Sequence, residues 1–338
     1  MALSGPAHDL RISFFITSYR PAEQLCRLVS TLRKAEPDSP IVIHHDSFQS
    51  PLDPSLFADV PHVHVLTSAS PIVWGDMSLE AARWRTYRWI LENVDVDWVM
   101  LLSEQDYPIE PLRELRLRLG DSGVDAFISG QRVDQIKDEE ARRVWERRYL
   151  YQYWSLPSSK ITRQLAEHWT RSTSSYGRRL YAGVDRSGRT LSISLTPAAS
   201  QQPIRIGVRA RKTPFSADFP CWAHNSWCAL SRKALEHIVD YLDSNPGFAR
   251  YYERTVIPVE SATGTIVFND PQLKVANVNL HAIRWTNRGS GRPDVFGRAD
   301  LEFLCSSSAV FARKFDQASA DLLDELDKIV FRNCREVL

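Results

Sequence analysis

Nowhere in its 338 residues does the chain carry an apolar run close to the roughly 18 residues that a membrane-spanning helix requires. The opening stretch, MALSGPAHDLRISFFITSYR, lacks the basic start and long apolar core of a secretory signal, so a cytoplasmic location without a membrane span is expected. Cysteine is sparse and unpatterned. The five thiols (Cys26, Cys221, Cys228, Cys305, Cys334) are odd in number and scattered, with no C-x-x-C or metal-ligand spacing. That excludes a disulfide scaffold and a structural zinc site, and fits reduced thiols that mostly fill core space. Charge of one sign is missing too: 42 Lys and Arg against 41 Asp and Glu leave a formal +1. Global attraction to nucleic acid or an acidic membrane is therefore absent, and any anion must be held by a local basic cluster. No internal repeat or low-complexity tract is present.

What remains is an ordinary globular composition, 43% hydrophobic and 25% charged, long enough for one large domain or two small ones. Arg11 to Ser18 (RISFFITS) is a short apolar run of strand length, and Pro21 opens a helix with Leu25, Leu28, Val29 and Leu32 on one face. Strands are expected at Ile41 to His44, Val63 to Leu66, Trp98 to Leu102 and Asp125 to Ser129. A helix capped by Ser78 is expected to run through Glu92. This alternation predicts an α/β fold, a largely parallel central sheet flanked by helices. Ligands of such sheets gather at the carboxyl ends of the strands. Thr17-Ser18-Tyr19, Asp46 and Glu104 to Asp106 fall at those ends.

The middle of the chain differs. Glu139 to Tyr153 reads as a helix, and Ser172 to Pro214 as loop or short hairpin, within which GRTLSISL can form a strand of a small insertion. Regular structure resumes with a strand at Ser226 to Ser231 and a helix at Arg232 to Leu242. Further helices are expected around Glu260 to Phe268 and Ala318 to Glu336.

Several segments, taken in order, resemble the core-2/I-branching β-1,6-N-acetylglucosaminyltransferase and peptide O-xylosyltransferase family, in a bacterial-type form. Phe311 to Asp316 reproduces the family's FARKFD signature; WGDMSLEAA (74–82), LLSEQDYPI (101–109), SWCALSRKALEHI (226–238), IPVESATGTIVFND (257–270) and HAIRW (281–285) match in sequence order. The resemblance spans about Ile12 to Asp316. It implies a single GT-A-like nucleotide-diphospho-sugar transferase domain over 8–335: a nucleotide-binding half (8–130), a variable insertion (131–220) and an acceptor and catalytic half (221–335).

The implied reaction is inverting transfer from a UDP-sugar, N-acetylglucosamine by default and xylose second, to a hydroxyl of a small-molecule, lipid-linked or glycan acceptor. The UDP-sugar is a co-substrate, with no cofactor and no metal. Arg313 and Lys314 are implied at the diphosphate, where a guanidinium fork and an ammonium can neutralise the leaving group. Glu260 is the implied catalytic base, with a dipole-stabilised glutamate at a helix start as the alternative. Thr17, Asp46, Trp74, Gly75 and Asp106 are expected around the donor's nucleotide and sugar, and Trp227, Trp285 and Asn287 around the acceptor. For Asp46 the alternative is a strand-end cap.

Two departures bear on this. Many enzymes of this fold use an Asp-x-Asp metal site after a central strand; here Asp95-Val96-Asp97 precedes the WVMLL strand and is expected to be a decoy. Glu104 stands where the family usually has glycine, which leaves a Glu104/Asp106 metal site as a minority alternative. A non-catalytic binding protein that keeps the fold is the rival from another class.

Overall fold

A computed structural model of the chain describes residues 10–155, 191–194, 205–286 and 292–332. Strand β1 (Ile12–Ser18) leads into helix α1 (Ala22–Ala35), followed by β2 (Ile41–His45), β3 (Val63–Thr67), α2 (Met77–Asn93), β4 (Trp98–Ser103) and the short β5 (Asp106–Pro108). Helix α3 (Leu112–Asp121), β6 (Ala126–Arg132), α4 (Glu139–Tyr149), β7 (Tyr151–Ser155), β8 (Leu191–Ser194) and β9 (Arg205–Arg209) come next. The remainder is β10 (Trp222–Ser231), α5 (Arg232–Ser244), α6 (Pro246–Tyr252), α7 (Ala262–Asn269), β11 (Val275–Ala276), β12 (His281–Ile283), α8 (Leu301–Cys305), β13 (Phe311–Arg313) and α9 (Ala320–Val330).

The fold is mixed α/β, with a large, mostly parallel sheet flanked by helices. Its strand order is β11-β6-β10-β4-β1-β2-β3. Every pairing in it is parallel except those of β10, which runs antiparallel to β4 and β6. The apolar continuity of β1 and β4 has a simple cause: both faces are covered. Phe14, Ile16, Met100 and Leu102 pack with Leu25, Leu115 and Leu322 of α1, α3 and α9. Phe15, Val99 and Leu101 turn the other way, against Tyr87, Ile90, Leu235 and Ile238 of α2 and α5. Strands from both expected halves share this one sheet. Two three-stranded sheets, β12-β13-β5 and β7-β9-β8, complete the described architecture.

Three local expectations need correction. Helix α2 is capped by Asp76, whose carboxylate accepts a hydrogen bond from the Ser78 amide at 2.7 Å; Asp and Ser cap about equally well, and the earlier one takes the position. The helix expected to reach Tyr153 stops at Tyr149. Tyr151 and Tyr153 are buried at strand period and pair with β9, so period 2 prevails over helical continuation. The C-terminal helix is described over Ala320–Val330, with 333–338 outside the described residues. LSIS does form a strand, while 156–190 and 195–204 of the variable region lie outside the described residues. Among the described residues no helix is long and apolar enough to cross a membrane.

Candidate active site

The parallel register brings Thr17 beside His44 of β2 and Ser103 of β4, so three strand ends open on one edge. The Thr17 hydroxyl donates to the Leu102 carbonyl at 3.2 Å, and the Glu104 amide donates to the Thr17 carbonyl, also at 3.2 Å. Beyond β4 the chain turns through Glu104-Gln105 into β5, which pairs antiparallel with β13 and sets Asp106 opposite Arg313. Long-range pairing thus carries the C-terminal basic pair to the sheet edge.

Asp106 is fully buried. One carboxylate oxygen accepts from the Ser103 amide at 2.6 Å; the other lies 3.5 Å from the Arg313 guanidinium. Arg313, with its side chain 13% exposed, stacks its guanidinium 4.1 Å from the Trp227 ring centre. Arg83 approaches the same ring at 5.6 Å and donates to the Ser226 hydroxyl at 2.7 Å. Lys314 is half-buried. Burial, then Arg20, Arg313 and Arg292, hold its pKa below the usual ammonium value. Positive groups that lower the Lys314 pKa in this way also favour an anion beside it. Glu104 is 1% exposed, neither of its carboxylate oxygens has a hydrogen-bond partner, and the Arg20 guanidinium is 3.9 Å away. Burial pushes its pKa up to about 7, while Arg20 and Arg313 pull the other way.

Glu260 ends a 3-10 turn, Pro258–Glu260, just before α7. The turn is entered through Ile257 at φ 55°, a strained value for a β-branched residue, and is pinned by a hydrogen bond from the Ile257 amide to the Gly75 carbonyl at 2.9 Å. Gly75 itself sits at φ 83°, where only glycine is unstrained. The WGD segment of the N-terminal half therefore holds the Glu260 turn in place. Arg148 donates to the Glu260 carboxylate at 2.6 Å, and the glutamate stays 27% exposed. Burial raises its pKa, against the pull of Arg148 and Arg83. Arg83 acts electrostatically on both Glu260 and Arg313.

Of the residues expected from sequence, Thr17, Asp106, Arg313, Lys314 and Trp227 gather at this edge, and Gly75 contacts the Glu260 turn. Asp46 directly follows β2. It is buried and accepts from the Phe48 amide (3.2 Å), the Gln49 side chain (3.0 Å) and the Ile72 amide (3.0 Å). That matches the strand-end cap. Trp74 and Trp285 are exposed, whereas Trp227 is buried beneath its arginines. Asn287 lies outside the described residues. Asp95 and Asp97 are at the other end of β4, both bonded to Arg11. His224 is buried; its Nδ1 accepts from the Ser226 amide at 2.9 Å within a bulge of β10. Arg20, Arg83 and Arg148 were not singled out from sequence. Arg20 had a signal, two residues beyond the end of β1; Arg148 had none, being 112 positions from its partner. Among the described residues no three His, Cys, Asp or Glu side chains gather as a metal-binding group.

Residues 12–168 match the family profile of the Core-2/I-Branching enzyme. The matched stretch contains Thr17, Gly75, Glu104, Asp106 and Arg148, and ends before Glu260, Arg313 and Lys314. Two proteins of Arabidopsis thaliana are similar to the chain. β-Glucuronosyltransferase GlcAT14B is 27% identical over 128 residues, 37% of this chain and 29% of its own length. β-Glucuronosyltransferase GlcAT14A is 29% identical over 112 residues, 32% of this chain and 25% of its own. Each match thus spans less than a third of the relative. Among solved structures, 4-diphosphocytidyl-2C-methyl-D-erythritol synthase of Anaerococcus prevotii covers 90% of this chain and 98% of its own at 12% identity, with a TM-score of 0.36. A superposition that loose bears on neither fold nor function.

Proposed function

We propose that the protein is an inverting glycosyltransferase of GT-A type that uses a UDP-sugar and no metal ion. The family match and the two relatives support a glycosyltransferase. The observation that carries the finer reading is that Arg20 and Arg313 stand 3.9 and 3.5 Å from Glu104 and Asp106 at the carboxyl edge of the sheet, with Lys314 next in the chain and Arg83 in electrostatic range of both Arg313 and Glu260. Arg313 and Lys314 would neutralise the charge that develops on the departing diphosphate. Glu260, half-buried and oriented by Arg148, would take the proton of the acceptor hydroxyl. The acceptor oxygen bonds to the anomeric carbon as its bond to the diphosphate breaks from the opposite face. The products are a β-glycoside from an α-linked donor, UDP, and a proton on Glu260.

N-acetylglucosamine is the first donor sugar to test and xylose the second; the names of the Arabidopsis relatives add glucuronic acid. A metal-dependent variant would rest on Glu104 and Asp106. Their geometry fits it poorly: one Asp106 oxygen holds an amide and the other faces the Arg313 guanidinium at 3.5 Å. The test is UDP release from UDP-N-acetylglucosamine, UDP-xylose and UDP-glucuronic acid, with and without EDTA, for wild type and Glu260→Gln. Turnover that survives EDTA and falls at least about 100-fold in the variant is expected. EDTA-sensitive turnover would replace this reading with the metal-dependent one. UDP binding without turnover of any donor, with simple glycan acceptors present, would favour a non-catalytic binding protein.

A further inference from the structure

Glu104 plays no part in the reaction just described, yet its placement is costly. A carboxyl group 1% exposed with two unpartnered oxygens is costly to ionise unless positive charge stands nearby. What surrounds it is charge. Arg20 follows β1, Arg313 comes from β13, and Asp106 lies on its own turn. His281 of β12 lies just beyond, 3.7 Å from Asp106. Neither guanidinium hydrogen-bonds to Glu104: Arg20 stands 3.9 Å off, and the Arg313 Nε and Nη1 atoms have no hydrogen-bond partner either. A buried acid and the partly exposed Arg20 face each other across a gap without closing it. An anion entering between Arg20, Arg313 and Lys314 would find donors waiting, and a negative charge already facing them.

We propose that Glu104 is a built-in competitor for the donor's diphosphate: it neutralises the basic cluster while the site is empty and weakens the grip on UDP once the site is filled. The inference rests on the proposed function and concerns the same site. Its physical basis is that a mostly buried arginine, Arg313, flanked by the partly exposed Arg20 and Lys314 would hold a diphosphate too tightly for quick release, and the three would repel one another without it. A fixed carboxylate among them lessens both effects. This chain is therefore expected to release UDP more readily than a version without Glu104.

The test is isothermal titration of UDP at pH 8 in EDTA, with wild type, Glu104→Gln and Glu104→Ser, each checked for folding by circular dichroism. Both variants are expected to bind UDP about tenfold more tightly. The direction is diagnostic, since structural damage at a buried position would loosen binding. Unchanged or weaker binding by the folded variants would overturn the proposal; it would mean that the carboxylate holds a ligand hydroxyl or is inert. Repeating the titration with Mg²⁺ adds a second check. Tightening of wild type by Mg²⁺ that both variants lose would assign Glu104 to a cation and overturn the competitor role. Wild type that binds no UDP in either buffer would remove the proposed function itself, and this inference with it.

Discussion

Strand β4 carries an acidic pair at each end, and the two pairs share a spacing but not a state. At the amino end, Asp95 and Asp97 lie at the surface and both bond to Arg11; hydrogen bonding from Arg11 lowers the Asp97 pKa. At the carboxyl end, Glu104 and Asp106 are buried, their arginines stand off at 3.9 and 3.5 Å, and three of their four oxygens lack a hydrogen bond. The first pair is saturated by its own protein. The second is held open. An acid-x-acid spacing therefore says little by itself about chemistry; which end of a parallel strand it occupies, and whether its partners are already satisfied, says more.

The comparison can be broken most forcefully at its basic side. Arg313→Gln combined with Lys314→Gln is expected to weaken UDP binding about 100-fold or more by titration calorimetry, as two charge-assisted contacts are lost. Asp95→Asn with Asp97→Asn is expected to leave the affinity unchanged. Equal losses from both would erase the distinction.

The next effect is on stability. The Glu104 carboxyl rises from 4.5 to about 7 on folding, so between those values the native state holds a proton that the unfolded chain has released. Stability is expected to fall as pH rises through that window and to level off above it. At about 1.4 kcal/mol per unit the loss is up to about 3 kcal/mol. Urea unfolding of wild type at pH 5 and 8 should show it, and Glu104→Gln should flatten it. The Asp97 pKa moves the opposite way, so no such fall is expected from the amino end.

A third effect sharpens the contrast with Glu260, whose arginine does close on it. Arg148→Ala should lower turnover about tenfold and move the acidic limb of the kcat/KM profile to higher pH, because burial would then raise the Glu260 pKa unopposed by that arginine. A profile that drops without shifting would reduce Arg148 to a packing role. The smallest effect is expected from Arg11→Ala, which removes an exposed ion pair and should barely move the thermal midpoint or UDP binding.

The sequence was most informative where cause is local. Apolar runs of strand length located β1, β2 and β4, since strands buried on both faces have no polar side to confuse the pattern; β3, a partly buried edge strand, still read as VHVL. The Asp-x-Asp before WVMLL could be set aside because a strand has direction. The resemblance to a known family, rather than periodicity, singled out Gly75, Asp106, Glu260, Arg313 and Lys314. Long-range partnerships stayed hidden. No local pattern announces that Arg148 will grip Glu260, that the Gly75 carbonyl will pin Ile257, or that Trp227 will lie beneath two guanidiniums. Tyr151 to Tyr153 read as helix because the preceding helix has no clear stop, and only the partner strand β9 makes the change of period visible.

The most direct measurement is hydrogen–deuterium exchange followed by mass spectrometry, with and without saturating UDP. The account predicts slowed exchange in peptides covering 17–20, 103–108 and 311–316, and no change across 94–98. Protection at 94–98, or none at the carboxyl edge of the sheet while UDP is bound, would contradict it.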